Sequence, residues 1–388
     1  MVFAAASSRA GTDESHSLTV ATWKDIVNPI KTGLIGCGKV GHIHAAALKA
    51  LPESQFTAVC GSTMEKARPF AEKYGVEAFD DLPKMLRESR IEALLICTPH
   101  PRHAEPAIIA ALAGVHVLVE KPLASSLADC DRMIAAARQT GVTLATVCQR
   151  RFYEPCQRIH QAIDQRKIGK PVLGSVTMYG WRDQKYYSSD PWRGTWKGEG
   201  GGVLVNQAPH QLDLLLWYMG PVAELSGYWA NLNHPYIEVE DTAVAILKFH
   251  SGALGQIVVS NSQNPALYGK VLIHGDNGAS IGVQTDGGAM FIAGVSTITE
   301  PPFNDIWTIK GEEHLRQIWQ QQDTGHFAKI DPIAYYHGAQ IRDFLQSIQQ
   351  NRPPAITAED GRNTVELFTA IYRSQRDGGP IRFPLAAE

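Results

Sequence analysis

The sequence lacks the features of disulfide-stabilised and membrane-spanning proteins. Its six cysteines are scattered and form no Cys-x-x-Cys pair, which favours buried free thiols in a reducing compartment over a disulfide framework. No apolar run approaches the roughly 18 residues that a membrane span requires. We therefore predict a cytoplasmic protein with no membrane partner.

The sequence also lacks blocks of like charge. Its 36 basic and 39 acidic residues are mixed along the chain and give a formal net charge of -3. A nucleic-acid-binding protein typically carries a basic stripe or patch, so no nucleic-acid partner is predicted. The length of 388 residues exceeds what one hydrophobic core usually fills, and two domains are expected.

The N-terminal segment carries no secretory signal that we recognise. Residues 1–6 are apolar but have no basic start, and the polar segment 7–17 follows. We predict that residues 1–28 form a mobile arm, and packing of this arm on a neighbouring subunit stays open.

Strand and helix patterns alternate from residue 31 to about residue 150. Apolar runs such as Ala93–Cys97 and His116–Val119 precede helical patterns, and Gly75 and Gly114 end two of these helices. This alternation predicts βαβ units and a doubly wound parallel sheet in residues 29–150. Later strand patterns are longer and alternate in polarity, which predicts an open, mostly antiparallel sheet in an α/β domain spanning 151–388.

A glycine-rich turn connects the first strand to the first helix. Gly36, Gly38 and Gly41 form a G-x-G-x-x-G pattern in the strand–turn–helix context that makes this motif informative. Gly36 permits the turn, Gly38 allows close approach of a pyrophosphate, and Gly41 allows close helix–strand packing. Together with Lys39 and Val40 at the helix N-terminus, the turn predicts a dinucleotide site.

The end of the second strand bears on the choice between NAD and NADP. An acidic residue about 20 positions after the glycine loop would bind the ribose hydroxyls of NAD. This chain instead has Ser62 and Thr63, with Lys66 and Arg68 beyond. The pattern slightly favours NADP over NAD. Capping of the next helix by Ser62 and Thr63 is the alternative.

Lys121 lies where parallel sheets bind ligands. It follows the apolar run 116–119 and Glu120, and Pro122 with its fixed φ comes next. Because ligands bind outside the carboxyl ends of the strands, Lys121 is placed to meet a cofactor and a substrate together.

A loop rich in aromatic residues and arginine follows the strand pattern at 172–179. Sugar rings stack on aromatic faces while polar groups bind their hydroxyls, so this composition suits a carbohydrate. A core or subunit contact is the alternative, and the arginines also allow a carboxylate or a sugar-nucleotide phosphate. The predicted substrate-binding residues are Lys121, Tyr153, Arg182, Tyr186, Trp192, Arg193, Asn206, His210 and Tyr336.

These motifs, in this order, resemble the Gfo/Idh/MocA oxidoreductases from about residue 31 to residue 384. The shared segments are the glycine loop, Glu120–Pro122, Gln149–Phe152, Gly200–Gly202, Asn206–Asp213, Asp343–Pro353 and Glu359–Gly361. The resemblance implies a Rossmann domain, a C-terminal α/β domain whose sheet serves as a dimer or tetramer interface, and nicotinamide-dependent chemistry on a sugar, cyclitol or related carbinol.

The resemblance also identifies the expected catalytic residues. Asn206 and His210 are predicted on one helix, Asn206–Tyr218, where a spacing of four residues gives them one face. In the family the position of Asn206 is often an aspartate that acts with the histidine and the lysine. An amide cannot take a proton, so we assign proton transfer to His210 with Lys121 as its partner; the reverse division stays open. Asp213 is expected to be structural.

The remaining predicted ligands of the cofactor surround the same sheet edge. His42 with His44, and His100 with His103, lack the spacing of a zinc site, and no metal is predicted. Besides the glycine loop, the predicted cofactor-binding residues are Ser62, Thr63, Lys66, Thr98, Pro99, His100, His103, Glu120, Lys121 and Gln149.

The function predicted from these residues is an NAD(P)-dependent dehydrogenase acting on a ring carbinol of a sugar, glycoside, anhydrosugar or cyclitol. Two alternatives stay open: a glycosidase of the same family that retains its nicotinamide, and a sugar sensor that binds dinucleotide without turnover. We expect a small-molecule carbohydrate-like substrate and a homodimer or homotetramer.

Overall fold

The structure, a computed structural model, describes residues 28–286 and 300–386. The predicted N-terminal arm, residues 1–28, lies outside this part of the chain apart from Asn28. Strands in the described ranges form a six-stranded and an eight-stranded sheet. None of the helices in these ranges combines the length and the apolar character needed to cross a bilayer.

The first sheet is parallel throughout and has the strand order β3-β2-β1-β4-β5-β6. Its strands are β1 (Ile30–Ile35), β2 (Ser54–Cys60), β3 (Glu77–Phe79), β4 (Ala93–Ile96), β5 (His116–Val119) and β6 (Leu144–Thr146). The order reverses between β1 and β4, which creates the crevice where doubly wound sheets bind ligands. The predicted Rossmann-type sheet is therefore confirmed.

Helices connect these strands on both faces of the sheet. They are α1 (Lys39–Ala50), α2 (Met64–Tyr74), α3 (Leu82–Ser89), α4 (Ala104–Leu112) and α5 (Leu127–Thr140). Gly75 ends α2 in the left-handed conformation with φ 64°, where a residue without Cβ is favoured. The sequence patterns missed β3 and α3, and the three residues of β3 are too few to show a period.

The rest of the described chain builds the second sheet and the remaining helices. Its elements are α6 (Glu154–Asp164), β7 (Pro171–Tyr179), α7 (Gln184–Tyr187), α8 (Trp196–Glu199), α9 (Val203–Asn206), α10 (Pro209–Met219), β8 (Val222–Ala230), β9 (Thr242–Phe249), β10 (Leu254–Ser260), β11 (Tyr268–Gly275), β12 (Ser280–Asp286), β13 (Phe303–Trp307), α11 (Leu315–Phe327), α12 (Pro332–Gln349), α13 (Ala358–Asp377) and β14 (Ile381–Arg382).

This second sheet is mixed but mostly antiparallel. Its order is β13-β12-β11-β7-β10-β9-β8-β14, and among these described strands β7 and β10 pair in parallel. Helices α10 and α13 cover one face, on which Gly174 faces Met219 and Gly227 faces Ile371. The opposite face is open, and Ile246 on β9 is 68% exposed there. The predicted open sheet is confirmed.

Helix α12 returns the chain to the parallel sheet. Its residues Ile341, Phe344 and Leu345 are buried in one cluster with Leu34 of β1 and Leu48 of α1. This packing brings His337, one turn before Ile341, close to the carboxyl end of β5.

The single helix predicted for Asn206–Tyr218 is wrong. Asn206 is the last residue of α9, and His210 is the second residue of α10. Pro209 explains the break, because proline has no backbone N–H to donate and suits the first position of a helix. Asn206 and His210 therefore do not share a helix face, although both line the cavity described next.

Candidate active site

A cavity of about 850 Å³ opens at the carboxyl ends of β1, β2, β4 and β5, and the second half of the chain forms its opposite wall. The predicted site residues that line it are Gly36, Gly38, Lys39, Val40, Ser62, Lys66, Thr98, Pro99, His100, Glu120, Lys121, Gln149, Tyr153, Arg182, Tyr186, Trp192, Arg193, Asn206 and His210. The predicted residues Gly36 and His210, 174 positions apart in the sequence, thus meet in one cavity.

The glycine loop has a backbone that fits a pyrophosphate. Gly36 has φ 111°, and a Cβ on it would lie 2.5 Å from the carbonyl oxygen of Cys97. Gly38 precedes α1 as a residue without a side-chain cap, and a Cβ on it would have no protein atom within 4 Å. No side chain of residue 38 occupies the first N–H groups of α1, so these groups can donate hydrogen bonds to an anion such as a dinucleotide phosphate.

Four predicted residues do not line the cavity. Gly41 lies beneath the loop, where a Cβ would collide with the carbonyl oxygen of Gly36. Thr63 occupies the N-cap position of α2, although its hydroxyl makes no capping hydrogen bond. Their neighbours Ser62 and Lys66 do line the cavity.

His103 and Tyr336 are the other two. The fully buried His103 ring lies 2.9 Å from both the Thr98 and the Pro122 carbonyl oxygens, so it holds two loops together. The Tyr336 hydroxyl donates to Glu154 at 2.6 Å, and its ring packs behind Tyr153. Tyr336 was predicted from its residue type alone, and the phase of α12 turns it into the core.

Lys121 and Asn206 join the two halves of the site. The Lys121 Nζ donates to the Asn206 backbone oxygen at 2.8 Å and to its Oδ1 at 3.3 Å. Burial, helped by the positive charges of Arg150 and Arg193, lowers the pKa of Lys121 to about 8 against the opposing charges of Glu120 and Glu199. A lysine with this pKa exchanges protons near neutral pH.

His210 faces the same cavity in a neutral form. Burial is the main cause that lowers its pKa well below the usual range, and the positive charges of Arg150 and Lys121 act in the same direction. Its Nδ1 is buried without a hydrogen-bond partner in the described structure. A neutral imidazole can hydrogen-bond a hydroxyl as donor or acceptor.

Glu120 is held as a carboxylate behind Lys121. Burial would raise its pKa, but the hydrogen bond and charge of His44, with the charges of His337 and Lys121, lower the pKa of Glu120 to about 2. The His44 Nε2–Glu120 Oε1 distance is 2.7 Å. These two side chains and His337 are the group in the described residues whose ligand atoms could hold a metal, yet this distance is that of a hydrogen bond.

Sequence reasoning missed several residues of the site. Arg150, Gln207, Asp286 and His337 line the cavity, and Glu199 lies buried behind Asn206, to which it is hydrogen-bonded. Arg150 belongs to the quoted Gln149–Phe152 segment, and this was a usable signal. Glu199 and Asp286 are acids whose position no local pattern reveals.

Asp213 lies outside the cavity, in the role expected for it. It accepts two hydrogen bonds from Arg151, at 2.7 and 2.8 Å, and both side chains are buried. This bidentate pair connects α10 to the segment that follows β6. It thereby fixes the helix on which His210 lies.

Comparisons with known proteins agree with this architecture. Residues 30–147 match the sequence model of an oxidoreductase family with an NAD-binding Rossmann fold, and residues 156–281 match that of the GFO/IDH/MocA C-terminal domain. The chain is 29% identical to myo-inositol 2-dehydrogenase of Thermotoga maritima in an alignment of 361 positions that covers 91% of this chain and 98% of that relative.

Solved structures give the same picture. The WlbA dehydrogenase of Bordetella pertussis, in complex with NADH and UDP-GlcNAcA, is 30% identical with a TM-score of 0.81, over 92% of this chain and 99% of that one. The WlbA dehydrogenase from Chromobacterium violaceum, in complex with the same two molecules, is 29% identical with a TM-score of 0.80, over 92% and 97%.

Two glycine substitutions should separate folding from dinucleotide binding. Gly41→Ala places a Cβ against the Gly36 carbonyl oxygen and should cost about 1–3 kcal/mol of unfolding free energy. Gly38→Ala meets no protein atom within 4 Å, so stability should be unchanged. It should nevertheless raise the Kd for the dinucleotide at least about tenfold, because its methyl group occupies the approach to the phosphates.

Urea unfolding without cofactor and calorimetric titration with NAD and NADP measure the two effects. An equal loss of stability in both variants would contradict the separation.

Proposed function

This chain belongs to the Gfo/Idh/MocA oxidoreductase family, and on that premise we propose that it transfers hydride between NAD(P) and a ring carbinol of a sugar, glycoside, anhydrosugar or cyclitol. It is an NAD-binding oxidoreductase of the sugar and cyclitol dehydrogenase type. The observation that carries the proposal is the meeting of Lys121, Asn206 and His210 in the cavity that begins at the glycine loop.

Gly36, Gly38, Lys39 and Val40 would hold the pyrophosphate, and the nicotinamide would supply or accept the hydride when bound. The side chains of the protein have the task of exchanging the proton of the substrate hydroxyl. Two protons of the Lys121 ammonium point to Asn206 oxygens, which leaves one for the substrate oxygen. With a pKa of about 8, Lys121 is the better match to a neutral operating pH, and we assign the proton exchange to it.

His210 then orients the substrate hydroxyl. Since burial lowers its pKa well below 6.5, its imidazole is a weak base that stays neutral through the working pH range. This division is the reverse of the one favoured by the sequence, where Asn206 had left Lys121 without a nearby acid.

The substrate wall supports a hydroxyl-rich ring. Arg193 lies over the rings of Trp192 and Tyr186, with its guanidinium 4.4 Å from both centroids, and Tyr153 and Arg182 complete this side. A second substrate class, a nucleotide-linked sugar acid, is favoured by the same arginines and by the UDP-GlcNAcA bound in the two WlbA dehydrogenases. Carboxylates and phosphates are the anions that arginine binds best.

A simple assay can distinguish two alternative functions from that of a dehydrogenase. A glycosidase that retains its nicotinamide would release sugar without net formation of reduced cofactor. A sensor would bind dinucleotide without turnover. Both Lys121 and His210 are present here, which supports a dehydrogenase over a sensor.

Turnover and its pH dependence test the proposal. We expect reduced cofactor to form with at least one of myo-inositol, free sugars, glycosides, anhydrosugars or a nucleotide-linked sugar acid. Carbinol oxidation needs Lys121 as the neutral amine, so kcat/KM should rise with pH through a midpoint at about 8, the pKa of this group, and then level off. Lys121→Met should lower kcat about 10²- to 10⁴-fold with little change in dinucleotide affinity.

The exposed lysine Lys185 provides the control, since Lys185→Met should keep wild-type kinetics. His210→Gln should lower the plateau without moving the rise. Near-normal turnover of Lys121→Met, or a rise that lies well below pH 6.5, would refute the assignment to Lys121.

Cofactor choice is a second test. Ser62 and Lys66 line the cavity beyond β2, and a lysine there favours the 2′-phosphate of NADP. We expect a modestly higher kcat/KM with NADP than with NAD, and Lys66→Ala should lower the NADP value about tenfold while leaving the NAD value nearly unchanged. Lys73→Ala on the exposed side of α2 is the matched control. A strong preference of the wild type for NAD would contradict the predicted preference for NADP.

Association through the second sheet is the third test. On its open face Tyr228 is 71% exposed and Ile246 68% exposed, and such apolar exposure suits a second copy of the same face. Ile246→Lys should shift the sedimentation coefficient from oligomer to monomer. Leu112→Lys on α4, where the leucine is 52% exposed, should not. A wild type that sediments as a monomer at micromolar concentration would exclude this interface.

A further inference from the structure

The amide of Asn206 connects Lys121 to a buried carboxylate. Its Oδ1 accepts from Lys121 at 3.3 Å, and its Nδ2 donates to Glu199 and, at 3.0 Å, to the Tyr186 hydroxyl. The amide therefore has an ammonium on one side and an acid on the other.

Glu199 is fixed in this position. Glu199 is the last residue of α8 and is 1% exposed. One carboxylate oxygen accepts from the Asn206 amide and the other from the Gly194 backbone N–H at 2.6 Å. Both groups that approach Glu199 are donors, which is the environment of an ionised carboxylate.

We propose that Glu199 is the positioning residue for Lys121, acting through the Asn206 amide. The inference rests on the proposed role of Lys121 as the group that exchanges the hydroxyl proton. It means that this chain keeps an acid in its catalytic cluster although residue 206 is an amide. This acid lies one hydrogen bond beyond the Asn206 amide that contacts the lysine.

The physical basis is the polarity of an amide. A carboxylate only accepts hydrogen bonds, so Glu199 obliges Asn206 to turn its NH2 group towards the acid and its oxygen towards Lys121. With the amide reversed, two N–H groups would face the ammonium, and Lys121 would lose one of its two acceptors. Glu199 thereby sets the direction in which the remaining lysine proton points.

Glu199 also acts through its charge. Among the groups that face Lys121, Glu120 and Glu199 favour the ammonium, whereas Arg150 and Arg193 oppose it, and the neighbouring His100 and His210 are mainly neutral because burial lowers their pKa values. Burial raises the pKa of Glu199 above its ordinary value, although the hydrogen bonds from Gly194 and Asn206 and the charges of Arg193 and Lys121 act against this rise. Removing the Glu199 charge should therefore lower the pKa of Lys121.

Glu199→Gln tests the proposal, because it keeps the shape and removes the charge. The pH at which kcat/KM for carbinol oxidation rises should fall by about 0.5–1 unit, and kcat should fall about tenfold, the effect of one misdirected hydrogen bond. NMR titration of isotopically methylated lysines in the cofactor-free protein, with Lys121→Met identifying the signal, should show the same pKa change.

A charge exchange provides the stricter test. Asn206→Asp alone puts a second carboxylate against Glu199 and should lower kcat/KM. The double variant Asn206→Asp/Glu199→Gln restores a single carboxylate beside Lys121, so it should recover to within about threefold of wild type. Glu238→Gln is the control, because Glu238 accepts from the Trp196 N–H at 3.2 Å at an exposed position. It should move neither readout.

The outcomes separate this inference from the proposed function. If Glu199→Gln lowers activity but leaves the pKa of Lys121 in place, and the double variant is no better than either single variant, Glu199 is merely structural and the inference fails. If Glu199→Gln changes nothing while Lys121→Met is inactive, the inference also fails but the proposed function stands. An active Lys121→Met would remove the proposed function instead.

Discussion

The hydrogen bonds between the Lys121 ammonium and Asn206 organise this molecule, because they connect the edge of the parallel sheet to the opposite wall of the cavity. Burying an ammonium is unfavourable unless oxygens replace its water. Asn206 supplies two such oxygens, one from its backbone and one from its amide. The position of residue 206 relative to β5 therefore decides whether the buried ammonium has hydrogen-bond acceptors.

Buried polar contacts hold Asn206 in that position. Glu240 accepts from the N–H groups of Gly202 and Leu204 at 2.9 and 3.0 Å and receives the Tyr372 hydroxyl at 2.8 Å. The short helix α9 is thus anchored at its start by an acid from the segment before β9. Burial raises the pKa of Glu240 to about 7, although these three donors act to lower it. This buried acid fixes the backbone of α9, Val203–Asn206. Such a network rigidifies when all of its members are satisfied.

The sequence predicted the two sheets and most of the predicted site residues that line the cavity, because periodicity and the glycine loop depend on local chain geometry. It failed where tertiary packing decides. Pro209 divided a helix that hydrophobic pattern alone would continue, and the phase of α12 directed His337 rather than Tyr336 towards the cavity. Glu199 could not be found at all, because the glycines after it leave no period and its partner Asn206 is seven residues away.

Glu120 and Lys121 show how adjacent residues can take opposite electrostatic roles. Both are desolvated, but Glu120 has His44 at 2.7 Å and stays ionised with a pKa of about 2. Lys121 has amide and carbonyl oxygens as hydrogen-bond acceptors, and burial lowers its pKa to about 8. A permanently charged acid beside a titrating base limits how far burial can lower the pKa of that base. With Glu120 on one side and Glu199 beyond Asn206, Lys121 keeps a pKa at which it can both hold and release a proton near neutrality. Carbinol oxidation requires a group that accepts the proton and carbonyl reduction one that donates it, so a lysine with this pKa meets the requirement of the proposed reaction in both directions.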